Sequence, residues 1–222
     1  MNLRPMILVS AAVISLMLLV STWAYVTLPA DAQVPIHWGV DGQPDDFADK
    51  PLGLLLLPGI ALLVTLLLAV IPRVEPRRAN LERSSKAYGA TWIGVMLLLG
   101  GLHLLAVAVT MGATLDVTRI LMGGTGILFA VIGNYLPKVR PNYLMGIRTP
   151  WTLTSDLAWD RTHRMGGRLF VAAGPILLGA AIVGLPGAWM AGLLIGLVVV
   201  MPVALFAYSY AVWRDDPDRR TT

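Results

Sequence analysis

Hydrophobic residues are concentrated in six long runs along the chain, and polar residues fall almost entirely between these runs. Each run has about 18 residues or more, the length that an α-helix needs to cross roughly 30 Å of hydrocarbon. The runs lie at about residues 6–28, 52–71, 89–111, 118–136, 168–186 and 189–212. This pattern predicts an all-α fold: a polytopic membrane protein with a bundle of six transmembrane helices.

The composition favours the same class of protein. Hydrophobic residues make up 56% of the chain and charged residues only 14%, whereas a typical soluble domain has about 25% charged residues. The first run begins near Arg4 as a signal peptide would, but its apolar length of about 23 residues exceeds the usual core of such a peptide. We therefore expect a retained helix. The absence of cysteine excludes disulfides, thiolate metal sites and cysteine nucleophiles.

The distribution of Lys and Arg predicts the orientation. Six spans place both termini on one side, and fifteen of the seventeen basic residues lie on that side, with Lys50 and Arg119 on the other. Because basic residues beside the spans are retained in the cytoplasm, we predict a multi-pass protein of the cell membrane with cytoplasmic termini. The basic charge is then explained by topology, so we expect membrane lipids as partners and no direct contact with nucleic acid.

The first outer connection, residues 29–51, is acidic and contains turn dipeptides such as Asp41-Gly42, which predict a compact turn structure. His37, Asp41 and Asp45 are candidate ligands for a divalent cation, because imidazole and carboxylate groups suit several metals. The alternative is a solvated acidic loop at the membrane surface, since the spacing matches no established ligand pattern. We favour the loop and expect no metal.

The connection over residues 133–167 is polar but contains two tryptophans and three prolines, so we expect it to hold a defined shape. Ser155 is placed to cap a short helix. In that helix the i,i+4 spacing predicts an ion pair between Asp160 and Arg164 and stacking of Trp159 on His163. Two interpretations remain open for this segment: an amphipathic stretch anchored among the lipid headgroups, or a specific binding surface.

His103 lies at about the midpoint of the third run, and Gly100-Gly101 and Gly123-Gly124-x-Gly126 mark positions where helices can approach closely. An intramembrane histidine either marks a pathway or is satisfied by one hydrogen bond between helices, and we favour the hydrogen bond. The glycines do not form a nucleotide-binding fingerprint, because no βαβ unit surrounds them.

Motifs in both halves of the chain resemble a known family. The motif residues of the later half are Asn134, Pro137-Lys138, Asn142, residues 146–152 (GIRTPWT), Trp159, His163-Arg164 and Gly167. These residues resemble the SdpI-type immunity proteins, which protect cells against the secreted sporulation-delaying toxin. The motif residues of the earlier half are Pro35, His37, Gly42, Pro44-Asp45 and Lys50. They resemble the small domain of unknown function that accompanies the SdpI signature in many members.

The resemblance implies two units: residues 1–88, with two helices and the acidic outer loop, and residues 89–222, with four helices and a long inner loop at 137–167. It implies binding of an extracellular toxin peptide and, in some members, sequestration of a cytoplasmic ArsR-like repressor. No cofactor is implied. The implied binding residues are Asn134, Lys138, Asn142, Arg148, Thr149, Trp151, Trp159, His163, Arg164, His37, Asp45 and Lys50.

Two other function classes are ranked below binding and immunity. The second is a membrane enzyme that acts on lipid headgroups or peptides at the inner interface, with His163 and Arg148 as its groups. The spans contain no H-E-x-x-H motif and no acidic pair, which argues against such an enzyme. The third is a small-solute transporter, for which only His103 and Pro58-Gly59 are suggestive.

Overall fold

The computed structural model describes residues 1–39 and 41–219, and within them it contains six long helices, two short helices, one 3-10 turn and one β-hairpin. The elements are α1 (Arg4–Thr27), β1 (Gln33–Trp38), β2 (Pro44–Asp49), α2 (Lys50–Val74), α3 (Arg78–Arg83), α4 (Ser85–Thr110), α5 (Val117–Tyr135), the 3-10 turn (Leu136–Lys138), α6 (Pro150–Thr154), α7 (Asp156–Val183) and α8 (Gly187–Arg214).

The six long helices, α1, α2, α4, α5, α7 and α8, are each long and apolar enough to cross a membrane. The predicted all-α polytopic fold is therefore confirmed. The helices begin and end within a few residues of the predicted runs, with one exception. α7 begins at Asp156 rather than near residue 168, so the predicted short helix and the fifth span form one helix of 28 residues.

The early start of α7 has a local cause. The Ser155 hydroxyl accepts a hydrogen bond from Ala158 N at 2.8 Å, as predicted for a cap. No proline interrupts the helix between this cap and Pro175, so the polar residues simply continue the helix beyond the hydrocarbon. The loop predicted over 137–167 is consequently shorter, and its irregular part covers residues 139–149.

The bundle has two groups of helices. In the first, α1, α2 and α4 enclose Met17, Trp92 and Met96. In the second, Met122 of α5, Leu177 of α7 and Met190 of α8 share one core. Buried apolar residues thus hold each group together.

Helices α5 and α7 approach each other at two pairs of glycines. A Cβ atom added at Gly126 would lie 2.7 Å from the Gly174 carbonyl oxygen, and one added at Gly133 would lie 2.8 Å from the Gly167 carbonyl oxygen. Only glycine permits this backbone contact, which is the usual basis of close helix packing in membranes. The prediction that small residues of the fourth span allow close approach is confirmed at Gly126.

His103 is buried between helices, with its Nε2 atom 3.0 Å from the Ser21 hydroxyl oxygen and 3.1 Å from the Met17 carbonyl oxygen. The Ser21 hydroxyl donates to the Leu54 carbonyl oxygen at 2.8 Å, so it accepts from His103 and the ring carries its proton on Nε2. The predicted hydrogen bond between helices is confirmed. This contact joins α1, α2 and α4.

The two ends of the bundle differ. The end with the antiparallel strands β1 and β2 is called the hairpin end below. At the opposite end, called the terminal end, the Met1 amine pairs with Glu82 at 2.9 Å and the Ser155 hydroxyl donates to the Asp216 carboxylate at 2.5 Å. Both termini therefore lie at the same end, as an even number of spans requires.

Candidate functional site

The irregular segment 139–149 at the terminal end is folded around a buried amide. Asn142 has no exposed surface. Its Nδ2 atom donates to the Arg140 carbonyl oxygen at 2.8 Å, and its Oδ1 atom accepts from Leu144 N at 2.9 Å and Met145 N at 2.7 Å. Asn142 thus replaces the backbone partners that an irregular segment lacks, and it fixes the shape of this turn.

Three side chains from the α2–α4 connection hold the segment from outside. The buried Glu75 carboxylate accepts from Tyr143 N at 3.2 Å, Asn80 Nδ2 donates to the Pro141 carbonyl oxygen at 2.8 Å, and the Ser84 hydroxyl accepts from Arg140 N at 2.9 Å. Sequence reasoning used the basic residues of this connection to predict topology and found no chemistry in it. One signal was present: Glu75 is the only acidic residue between Asp49 and Glu82, and it stands among arginines.

His163 fastens the segment to α7. Its Nδ1 atom donates to the Trp159 carbonyl oxygen at 2.8 Å, and its Nε2 atom accepts from Ile147 N at 3.0 Å. A ring that accepts at one nitrogen and donates at the other is neutral. The ring stacks on Trp159 with centroids 4.0 Å apart, which confirms the predicted stacking. Both ring nitrogens of His163 are therefore engaged inside the protein.

Trp159 is part of the protein interior. Its side chain is 2% exposed, and Nε1 donates to the Val139 carbonyl oxygen at 2.8 Å. A tryptophan that anchors a helix among lipid headgroups is instead exposed along one edge. Trp151 has that character, because it is half-buried and its ring packs against Phe206 and Tyr210 of α8 at centroid distances of 4.6 and 5.0 Å.

Short helix α6 connects the segment to α8. Thr149 and Thr152 form a reciprocal capping box at its first turn. The Thr149 hydroxyl also lies 3.0 Å from the Ser209 hydroxyl of α8, and the Thr152 hydroxyl donates to the Ile147 carbonyl oxygen at 2.9 Å. All of these hydroxyls are buried. The capping box is therefore attached to the segment through Ile147 and to α8 through Ser209.

The predicted binding residues of the terminal end fall into two groups. Asn142, Thr149, Trp159 and His163 are buried and hold the segment in place. The other group is exposed and consists of Asn134, Lys138, Arg148 and Arg164, with the half-buried Trp151 between the groups. This division makes the exposed group the surface that a partner can reach.

The exposed cations have local partners. Arg148 donates from Nη1 to the Tyr143 carbonyl oxygen at 2.6 Å, and the Lys138 ammonium lies 5.0 Å from the centre of the Tyr135 ring. Arg164 pairs with Asp160, which confirms the predicted ion pair. Because these contacts are at the surface, each contributes little to stability and leaves the cation available to an anionic partner.

At the hairpin end, His37 Nδ1 and Asp45 Oδ1 are 2.5 Å apart, and both side chains are exposed. The Asp41 carboxylate flanks Gly39 together with that of Asp45. Within residues 1–39 and 41–219 there is no group of three or more His, Cys, Asp or Glu side chains placed to hold a metal ion. The acidic turn therefore has a two-residue contact, His37 with Asp45.

Lys50, the third predicted residue of the hairpin end, is 8% exposed. Its ammonium donates to the carbonyl oxygens of Tyr25 and Leu28 at 3.0 and 3.1 Å and lies 4.6 Å from the centre of the Tyr25 ring. These carbonyls are at the C-terminus of α1, where the helix leaves them without backbone partners. Lys50 therefore caps α1 and joins it to α2.

A cavity of about 690 Å³ lies at the hairpin end, between the hairpin and the α4–α5 and α7–α8 connections. Apolar side chains such as Trp38, Leu185 and Met190 line it together with the charged Asp41 and Arg119. Asp116 caps α5 by accepting from Arg119 N at 3.0 Å, and its carboxylate also pairs with the Arg119 guanidinium at 3.1 Å. Sequence reasoning used Arg119 only to predict topology.

Six apolar helices, an ordered polar segment at one end and a small hairpin at the other define a multi-pass α-helical membrane protein. Comparison with known proteins is more specific. Residues 138–209 match the SdpI/YfhL protein family, and residues 12–62 match a domain of unknown function, DUF1648. The chain therefore carries both regions that its motifs resemble, and the resemblance is confirmed.

A curated relative shares most of this length. Over 172 residues the chain is 27% identical to the Immunity protein SdpI of Bacillus subtilis (strain 168), and this alignment covers 77% of the chain and 78% of the relative. No solved structure matches the chain. The SdpI/YfhL match includes the ordered segment 139–149 and the residues of α7 and α8 that hold it. The residues of the α2–α4 connection that also hold the segment lie outside both matches.

Proposed function

We propose that this chain is a membrane immunity protein that protects its cell by binding a secreted antimicrobial peptide at the hairpin end. In this proposal the hairpin end faces outward and both termini are cytoplasmic. The observation that carries the proposal is the cavity of about 690 Å³. It is formed where the hairpin, inside the DUF1648 match, meets the connections of the C-terminal helices. The name and similarity of the relative support the immunity role.

The cavity is chemically suited to part of an amphipathic peptide. Its volume lies within the range of about 300–1,000 Å³ that is usual for ligand pockets, so it accommodates a few side chains rather than a whole peptide. Trp38, Leu185 and Met190 offer apolar contacts. Asp41 and Asp116 offer negative charge, and Arg119, which pairs with Asp116, offers positive charge. Charges of both signs at fixed places give a peptide of mixed polarity a defined orientation.

In this proposal the terminal end changes when a peptide is bound at the hairpin end, and it thereby signals binding to the cytoplasm. Helix α5 begins beside the cavity at Val117, and α7 ends beside it at Val183, next to Gly184 in the cavity lining. The same two helices run to the ordered segment at the other end. A ligand that changes the packing of this pair therefore biases the exposed group Asn134, Lys138, Arg148 and Arg164, provided that it binds one packing state better than another.

We further propose a signalling step. When the peptide is bound, the exposed and largely basic group Asn134, Lys138, Arg148 and Arg164 holds a cytoplasmic ArsR-like repressor. Charge complementarity supports an acidic partner surface, because exposed cations at an interface steer association. The immunity role does not depend on this step. Loss of repressor binding with retained protection contradicts the signalling step alone.

The proposed orientation is tested with single cysteines, since the chain has none of its own. Asp45→Cys and Lys86→Cys place a thiol at exposed positions of the hairpin end and the terminal end, respectively. We expect an impermeant maleimide to label Asp45→Cys on intact cells and to label Lys86→Cys only after the membrane is opened. The reverse pattern contradicts cytoplasmic termini.

Protection is tested by the survival of a sensitive bacterial host that expresses this chain. The challenge uses the sporulation-delaying toxin and any secreted peptide encoded beside the gene. We expect Trp38→Ala to lower the tolerated peptide concentration about tenfold or more, because a tryptophan in a binding pocket commonly contributes over 1.4 kcal/mol. Trp189→Ala is the matched control: Trp189 is 73% exposed at the same end and lies outside the cavity.

The outcomes test the immunity role and the location of the binding site separately. Equal loss of protection in Trp38→Ala and Trp189→Ala contradicts binding in the cavity. No protection by the wild-type chain against any of the challenge peptides, at normal membrane expression, contradicts the immunity role itself.

A further inference from the structure

A second, smaller cavity of about 240 Å³ lies at the terminal end between α7 and α8. Three arginines of α7, Arg161, Arg164 and Arg168, line it together with Met165 and with Tyr208 of α8. The arginines are spaced i, i+3 and i+7, so they project from one face of the helix. Three guanidinium groups and one phenol thus surround a single concave space.

The depth of this cavity follows from the sequence around it. Arg168 is the last charged residue of α7, and no Asp, Glu, Lys or Arg occurs from residue 169 to residue 213. α7 has 28 residues and is therefore about 42 Å long, which exceeds the roughly 30 Å of hydrocarbon. Its first turns consequently lie beyond the hydrocarbon. The cavity is at the boundary between the acyl chains and the headgroups.

Aromatic side chains on α6 and α8 support the same depth. Trp151, Phe206 and Tyr210 form a cluster at the terminal end. Phe206 and Tyr210 are exposed, and they flank Tyr208 along α8. Tryptophan and tyrosine are enriched where a membrane protein crosses the headgroup region.

The carboxylates near the cavity leave it with an excess of positive charge. Asp160 pairs with Arg164. Asp216 is close enough to Arg161 to be affected by it, but its pKa is lowered chiefly by the hydrogen bond from Ser155, then by the bond from Asp218 N and by Arg219. Among the described residues, Arg168 has no carboxylate within ion-pair distance. A guanidinium at the edge of hydrocarbon is costly without an anion.

We propose that this cavity binds the phosphate group of an anionic phospholipid from the terminal-end leaflet. The arginines donate to the phosphate oxygens, since a guanidinium matches phosphate with two parallel hydrogen bonds. The Tyr208 hydroxyl supplies a further donor from α8. The bound headgroup joins α7 to α8. This site does not depend on the immunity role or on the hairpin-end cavity.

The test uses the purified full-length chain in a neutral detergent. Phosphatidylglycerol is titrated against phosphatidylcholine, with the unfolding temperature and native mass spectrometry as readouts. The site variant is Arg161→Gln/Arg168→Gln. The control variant is Arg83→Gln/Lys86→Gln, which removes the same charge from exposed positions at the same end but outside the cavity.

We expect phosphatidylglycerol to stabilise the wild type and the control equally, and to bind the site variant about 10- to 30-fold more weakly, because each basic residue contributes about a factor of five. Equal weakening of both variants shows diffuse attraction and overturns the proposal. Unchanged binding by the site variant also overturns it. A stabilisation by inorganic phosphate alone that equals that of the lipid overturns the assignment to a lipid.

A second variant covers the case in which the glutamine variant fails to fold. Arg161→Lys/Arg168→Lys retains both charges but loses the paired donors of the guanidinium group. A built phosphate site predicts binding several-fold weaker than that of the wild type. Binding equal to the wild type shows that charge alone is sensed, which again overturns the site.

Discussion

Gly133→Leu is expected to separate α5 from α7 and to lower the free energy of unfolding by about 3 kcal/mol or more, beyond the usual range of simple overpacking. A Cβ atom at this position would lie 2.6 Å from Val171 N and 2.8 Å from the Gly167 carbonyl oxygen. These are backbone atoms of a helix, so they cannot turn aside as the end of a side chain can. The two helices must move apart, and the packing between them is lost.

Gly179→Leu is the matched control for this variant, because Gly179 lies in α7 itself and nothing is within 4 Å of a Cβ atom added there. Thermal unfolding in detergent, followed by circular dichroism, measures both variants. We expect Gly179→Leu to unfold close to the wild-type temperature and Gly133→Leu well below it. Similar unfolding temperatures for the two variants contradict a close backbone contact between α5 and α7.

Features that depend on neighbours in sequence were predictable. The length of each apolar run gives the number of spans, because crossing the hydrocarbon requires a fixed number of residues. The contacts of Trp159 with His163 and of Asp160 with Arg164 follow from i,i+4 spacing once a helix is assumed. The sequence predicts the Ser155 cap but not the union of the short helix with the fifth span in α7. Hydropathy ends a span at the first polar residues, whereas the helix itself continues into the headgroup region.

Contacts between distant segments were not predictable. Glu75, Asn80 and Ser84 reach partners 68, 61 and 56 residues away. Each belongs to a short connection whose position depends on how whole helices pack, and periodicity carries no information on that packing. One signal is present in the sequence. Glu75 is a single acidic residue in a basic connection, which indicates that its carboxylate has a specific partner.

The motif residues also carry two kinds of function that a sequence does not distinguish. Lys50 was predicted to bind a ligand, and its ammonium caps the C-terminus of α1. Asn142 and His163 hold a backbone segment in place. Arg148 and Arg164, from the same motif, are exposed. A match to the motif therefore identifies the segment, whereas burial identifies which of its residues a partner can touch.

In the proposed mechanism, the buried motif residues fix the ordered segment and the exposed ones contact a partner. The buried residues tie residues 139–149 to the α2–α4 connection, to α7 and to α8. The segment is consequently in contact with parts of both groups of the bundle. In the proposed mechanism a change in packing at the hairpin end reaches Arg148 through these anchors, since coupling between distant sites requires an element with two arrangements.

Gly146→Ala is expected to release the segment from α7, and it tests the anchor at His163 directly. Gly146 has φ of +108°, a conformation that costs an alanine about 1–3 kcal/mol. Its Cβ atom would also overlap His163 Nε2, the atom that accepts from Ile147 N. Displacing the ring leaves the half-buried Ile147 N and the buried Nε2 atom of His163 without partners, at a further cost of about 1–3 kcal/mol.

Gly112→Ala separates these two effects. Gly112 has φ of +92°, but nothing lies within 4 Å of a Cβ atom added there. The control therefore carries the backbone strain alone. We expect Gly146→Ala to lower the unfolding temperature in detergent more than Gly112→Ala does, and to make the segment 139–149 susceptible to trypsin after Arg148, which precedes Thr149. Equal effects of the two substitutions contradict a role of His163 in holding the segment.

A double-mutant cycle completes the argument. In His163→Ala the obstructing ring is gone, so adding Gly146→Ala to it should cost only the backbone strain. The two changes are then less than additive, by about 1–3 kcal/mol for residues in contact. Strict additivity would mean that Gly146 and His163 act independently, and the ordered segment would then owe its position to the α2–α4 connection instead.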